Sequence, residues 1–128
     1  MAPPHPTEGE LAILRVLWRR SDPTTVREVH DELNRGKQTA YTTVLKMLTI
    51  MSEKGLVRRD ESERTHTYVP VHAETVVQSS LLKDLMRRAF SGSALTLVQR
   101  ALDDDAASAE DLDAIDQLIA QAKAKRKR

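Results

Sequence analysis

The stretch TAYTTVLKMLTIMSEKGLVRR, residues 39–59, decides the fold. Tyr41, Val44, Leu45 and Leu48 recur at i, i+3, i+4 and i+7, the spacing of one helix face, and Met51 extends the stripe. Thr42, Lys46, Thr49 and Glu53 fall on the opposite wedge. Gly55 can take the left-handed conformation that ends a helix, so the pattern predicts a helix from about Ala40 to Lys54. Directly behind it, Leu56-Val57-Arg58-Arg59 reads as a strand and Asp60-Glu61-Ser62-Glu63-Arg64 as a turn. Thr65-His66-Thr67-Tyr68-Val69 then returns as a second strand, closed by Pro70.

Upstream, Thr7-x-x-Glu10 is a capping box, in which each side chain satisfies the other residue's backbone amide. Leu11, Leu14, Leu17 and Trp18 follow at helical spacing to about Arg20, and Ser21-Asp22-Pro23 breaks the helix. A second box, Thr25-x-x-Glu28, opens a shorter helix with Val26, Val29 and Leu33 on one face, ended by Asn34-Arg35-Gly36. Three short helices followed by a hairpin, within residues 1–72, is the order of a winged helix-turn-helix. In that docking geometry the third helix enters the DNA major groove and the second crosses the backbone.

Residues 73–128 read as helical again. Val77, Leu81, Leu82, Leu85, Met86 and Ala89 mark a fourth helix ending before Gly92, and Leu95, Val98 and Leu102 a short fifth. Ser108-x-x-Asp111 caps a sixth, whose Leu112, Ile115, Ile119 and Ala122 repeat like the seam of a helix pair. Such helices have no second core of their own and need a partner surface. A two-fold homodimer supplies one, with Leu81, Leu85, Leu95, Val98, Leu112, Ile115 and Ile119 as the expected interface. Folding back onto the N-terminal module is the alternative. The expected class is therefore mainly α with a small β-hairpin wing, followed by a helical dimerisation arm.

Composition limits what else the chain can be. Its 128 residues suit one domain, or a small module with an appendage. With 40% hydrophobic, 30% charged and 3% aromatic residues, a core must come from Leu, Val, Ile and Ala, which favours helices. Cysteine is absent, which excludes disulfides, thiolate metal sites and catalytic thiols and fits a reducing cytoplasm. No apolar run is long enough for membrane insertion, and the opening MAPPHPTEGE lacks the pattern of a secretory signal, so a cytoplasmic location is expected. His5, His30, His66 and His72 are too scattered for a metal site, and Asp103-Asp104-Asp105 reads as a solvated linker or helix-start cluster. No phosphate loop, nucleophile set or isolated carboxylate pair is present, so neither a cofactor nor an enzyme is expected. Net charge is +1, but residues 101–122 hold seven acidic side chains and no basic one, while the tail KAKRKR holds five basic ones. That tail either complements the helix macrodipole or touches DNA phosphates.

Five segments stand in order: ELAILRVLW (10–18), TVREVH (25–30), AYTTV (40–44), EKGLV (53–57) and His66-x-Tyr68-x-Pro70. Together with Gly92 and Leu97-Val98 they resemble the BlaI/MecI/CopY family of bacterial repressors, the penicillinase repressors, over nearly the whole chain. The resemblance implies a homodimer with two winged helices on a palindromic operator, held together by C-terminal helices. In the antibiotic-responsive branch it also implies a sensor-coupled protease that cleaves the C-terminal half. Aligned through Leu97-Val98, the family's Asn-Phe cleavage bond falls on Arg100-Ala101, where a protease selecting a bulky apolar residue finds only a methyl group. The copper-thiolate switch of another branch is excluded by the lack of cysteine. Lys46 and Ile50 stand where many members carry Thr and Arg, so the operator need not be the usual family sequence.

The candidate DNA-contacting residues are Thr39, Tyr41, Thr42, Thr43 and Lys46, in the first two turns of the third helix, and Arg64 in the wing. Thr39 serves equally as an N-cap, and Tyr41 divides between core packing and phosphate contact. Alternation points only one of Arg58 and Arg59 toward DNA, without choosing between them. The acidic wing tip of Asp60, Glu61 and Glu63 supports a rival reading, a winged helix that binds another protein.

Overall fold

The structure is a computed structural model and describes residues 2–127, so Arg128, the last residue of the basic tail, lies outside the described residues. It divides into two units, residues 1–82 and 83–128.

In the first unit, both expected capping boxes are formed. Helix α1 (Glu8–Arg20) starts at Thr7, whose Oγ1 accepts from the Glu10 amide at 3.2 Å while Glu10 Oε1 accepts from the Thr7 amide at 2.8 Å. Helix α2 (Val26–Leu33) repeats the arrangement with Thr25 and Glu28 at 3.1 and 3.0 Å. Helix α3 (Tyr41–Lys54) differs, since its N-cap is Ala40 and no side chain caps it. Thr39 is therefore not the N-cap. Its amide donates to Asn34 Oδ1 at 2.7 Å, closing the α2–α3 turn instead. At its other end α3 stops at Gly55 (φ 82°), a left-handed position that a side chain would strain.

The hairpin is part of a three-stranded antiparallel sheet. Strands β2 (Val57–Asp60) and β3 (Thr67–Pro70) pair with Arg58 opposite Val69 and Arg59 opposite Tyr68. A two-residue strand, Thr24–Thr25, joins the free edge of β3; it is β1 in chain order, and the sheet runs β1-β3-β2. Reading residues 21–23 as a simple break overlooks this strand, because two residues hold no alternation to detect. Thr24 is fully buried there, and its hydroxyl donates to the Asp22 carbonyl at 2.8 Å.

The core is filled by Ile13, Leu14, Val16 and Leu17 of α1, Val26 and Val29 of α2, and Val44, Leu48 and Met51 of α3. Leu56, Val57 and Tyr68 close it from the sheet side, with Trp18, Leu33 and Met47 at its margin. Trp18 Nε1 donates to the His72 carbonyl at 3.0 Å, tying α1 to the segment after β3. Tyr41 and Leu45, expected in the apolar stripe, are 38% and 41% exposed and are not core residues. Successive helix positions step by about 100°. Burial centres on Val44, Leu48 and Met51, which leaves Tyr41 and Leu45 on the flank of that face.

Helix α4 (Glu74–Ala89) begins in the first unit, where Val77 is its one buried residue. It ends at Phe90-Ser91-Gly92, where the Gly92 amide donates to the Met86 carbonyl at 2.8 Å. In the second unit, Ser93 caps α5 (Ala94–Asp103) and a Ser108–Asp111 capping box opens α6 (Ala109–Arg126). Neither α5 nor α6 contains a buried residue. Leu81 and Ile115 are half-buried, while Leu85, Leu95, Val98, Leu112 and Ile119 are exposed, Leu95 to 79%. Leu118 is also exposed, an apolar residue that the a/d repeat leaves out.

Candidate nucleic-acid interface

The exposed side of α3 has three strips. Thr42 and Lys46 lie on its outward face, open to solvent. Thr43 turns to one flank, into a groove with Gly9, Ala12, Leu33, Lys37, Thr39 and Met47. Tyr41 and Leu45 turn to the other flank, toward the sheet.

That second flank forms a cleft of about 310 Å³ between the starts of α2 and α3 and the hairpin. Tyr41, Leu45, Tyr68 and Val26 supply its apolar lining, and Arg27, Arg64 and His66 its basic groups, with no carboxylate among the lining residues. Arg27 lays its guanidinium over the Tyr41 ring, Cζ 5.0 Å from the centroid. The His30 ring meets the same tyrosine edge-on, 5.7 Å between centroids and 65° between planes. Thus the structure brings Tyr41 and Arg64 into one site, with Thr42 and Lys46 on the adjoining outward face. Thr39 and Thr43 line the groove on the opposite flank instead.

Strand alternation sorts the hairpin's charges. Arg64, His66 and Tyr68 line the cleft, while Asp60, Glu63 and Thr67 line a separate depression with Pro23. Asp60 accepts from the Ser62 amide at 2.9 Å, and this bond holds its carboxyl below the usual aspartate value of 3.8. Arg59 is paired with Glu61 at 2.8 Å. Neither Arg58 nor Arg59 lines the cleft. The acidic wing tip is thus directed away from the basic cleft rather than mixed into it.

Arg27, Leu45 and His66 are among the cleft residues that sequence reasoning missed. Arg27 carried a readable signal. It occupies the first turn of a helix, where the macrodipole disfavours a cation by about 0.3–1 kcal/mol.

Arg100 and Ala101 lie in the last turn of α5, both exposed, with Arg100 paired to Asp103 at 2.6 Å. Among the described residues, no group of three His, Cys, Asp or Glu side chains is placed to hold a metal ion. No helix among them is long and apolar enough to cross a membrane.

Three helices, a small antiparallel sheet and a basic cleft beside the third helix define a winged-helix protein. A profile of the penicillinase repressor family matches residues 6–121, and the chain belongs to that family, one of transcriptional repressors. It is 38% identical over 80 residues to the transcriptional regulator BlaI of Mycobacterium tuberculosis, a match spanning 62% of this chain and 58% of that protein's length. It is 24% identical over 124 residues to the penicillinase repressor of Bacillus licheniformis, covering 97% and 96% of the two chains. Among solved structures it is similar to hsRosR-S4 in a complex, with TM-score 0.53, 19% identity and coverage of 94% and 91%; the likeness is one of fold. It is also similar to the solution structure of the monomeric form of B. licheniformis BlaI with the blaP half-operator. There the TM-score is 0.49, with 26% identity over 57% of this chain and 88% of that one.

Proposed function

We propose that this chain is a homodimeric transcriptional repressor that binds a palindromic DNA operator, with residues 1–72 as the DNA-binding module and 73–128 as the dimerisation arm. The observation that carries the reading is the carboxylate-free cleft holding Arg27, Arg64 and His66 beside the exposed Thr42 and Lys46 of α3. Cations there would hold the backbone while the outward face of α3 meets base edges. Family membership supports the same reading. Thr39, Tyr41, Thr42, Thr43, Lys46 and Arg64 are the proposed DNA contacts.

Dimerisation is supported by the apolar side chains that α4, α5 and α6 leave exposed, since a two-fold pair can bury both copies of one stripe. Leu81, Leu85, Leu95, Val98, Leu112, Ile115 and Ile119 form the proposed interface. The repressor is proposed to be cytoplasmic, to use no cofactor and to catalyse no reaction. Cleavage by a sensor-coupled protease at Arg100–Ala101 would require the last turn of α5 to unwind.

Selecting fragments of the source genome on the immobilised protein tests the reading. Enrichment of fragments sharing a palindrome is expected. Recovery of random fragments, or of none, would favour a protein partner instead.

A further inference from the structure

Resting on the DNA-binding reading above, we propose that Arg27 grips a backbone phosphodiester at the mouth of the cleft, held in place by Tyr41 and facing the same groove as Arg64. Three observations converge on this pair. The first is placement. Arg27 is exposed in the first turn of α2, where the helix's positive end repels a cation, and an anion at that point would relieve the repulsion.

The second is how the guanidinium is used. Its Cζ lies over the Tyr41 ring, 5.0 Å from the centroid, so the ring positions the guanidinium without consuming its N–H donors. No ion pair to Arg27 or Arg64 is formed among the described residues. Glu28, one residue along α2, is engaged elsewhere. It accepts from the Thr25 amide and hydroxyl, pairs with Arg20, and the Thr25 amide above all holds its carboxyl ionised. A planar fork with free donors and no carboxylate partner suits a phosphate.

The third is the apolar lining beside it. Tyr41 and Leu45 are exposed within the cleft and would face the sugar of a nucleotide whose phosphate lies between the two arginines. The His30 ring, in edge contact with the same tyrosine, helps to hold it. Beside its own contact, Tyr41 is therefore a positioning residue for Arg27, a role its sequence position does not suggest.

The test is a fluorescence-anisotropy titration of the full chain on its selected duplex, over a series of salt concentrations. Arg27→Ala is expected to weaken binding roughly tenfold or more. It should also make the dependence of log K on log salt shallower by about 1.8, the loss of one phosphate contact from each subunit of the dimer. The preference over scrambled DNA should keep its ratio, because a phosphate contact carries no sequence information. Tyr41→Leu should lose less affinity in the Arg27→Ala background than in the parent. Thermal melts matching the parent keep misfolding out of the comparison. Unchanged affinity and slope in Arg27→Ala, or a loss of affinity with an unchanged slope, would overturn the assignment while leaving the DNA-binding reading in place. A parent protein that prefers no duplex over scrambled DNA would bring down both.

Discussion

The Lys54 ammonium lies 2.7 Å from Glu10 Oε1, a carboxylate whose side chain is almost wholly buried. Glu10 is in the first turn of α1 and Lys54 in the last turn of α3, so one bond fixes the end of the proposed reading helix to the start of the first. The same carboxylate oxygen accepts from the Thr7 amide, so the ion pair and the capping box share an atom. Burial pushes the Glu10 carboxyl up, but the Lys54 and Thr7 hydrogen bonds and the Lys54 charge together bring it below the usual 4.5.

Glu10→Gln should therefore destabilise the fold at neutral pH by roughly 1–3 kcal/mol, toward the lower end because Lys54 stays partly solvated. The sign with pH follows from the lowered value. Glu10's contribution is fully present above its unfolded pKa and is lost as pH falls through the lower folded one. Denaturant melts should show the gap between parent and variant closing in acid. A gap that stays constant down to strongly acid pH would show that the charge of Glu10 contributes nothing.

Leu48→Ala should cost about 2–5 kcal/mol, since Leu48 is fully buried between Val44 and Met51 on the core face of α3. Leu45→Ala, one turn away and exposed, should cost far less in the same urea titration. Equal losses would place Leu45 back in the core.

Lys46→Ala should weaken binding to the selected operator by about 1–3 kcal/mol if the ammonium reads a base, and relax preference at that base. Because Lys46 is exposed, its melting temperature should not move. An unchanged affinity would remove Lys46 from the interface.

Leu112→Asp and Ile119→Asp place a charge on the exposed apolar face of α6. Sedimentation should find monomers in both variants and a dimer in the parent. A dimer that survives both would move the interface to α4 and α5.

Much of the fold is local enough to read directly. A capping box needs only two residues three apart, and a helix end needs one residue able to turn left-handed, so Thr7, Thr25, Ser108 and Gly55 declare their roles in the chain itself. Periodicity also finds α3, but not the width of its buried face. That width is set by which neighbours arrive, and they cover Val44 and Leu48 while leaving Tyr41 and Leu45 outside. Strand β1 exists only because β3 offers it an edge, a non-local cause invisible in two threonines. The cleft is harder still. Arg27 and Arg64 are 37 residues apart in sequence, and only the folded hairpin brings them to one groove.

The central claim is sequence-selective DNA binding by this winged helix. Its most direct test is an anisotropy titration of the purified protein on the palindromic fragment it selects, with scrambled DNA as competitor and salt varied. The account predicts tight binding that survives the competitor and weakens steeply as salt rises. Equal binding to scrambled DNA, or an affinity indifferent to salt, would contradict it.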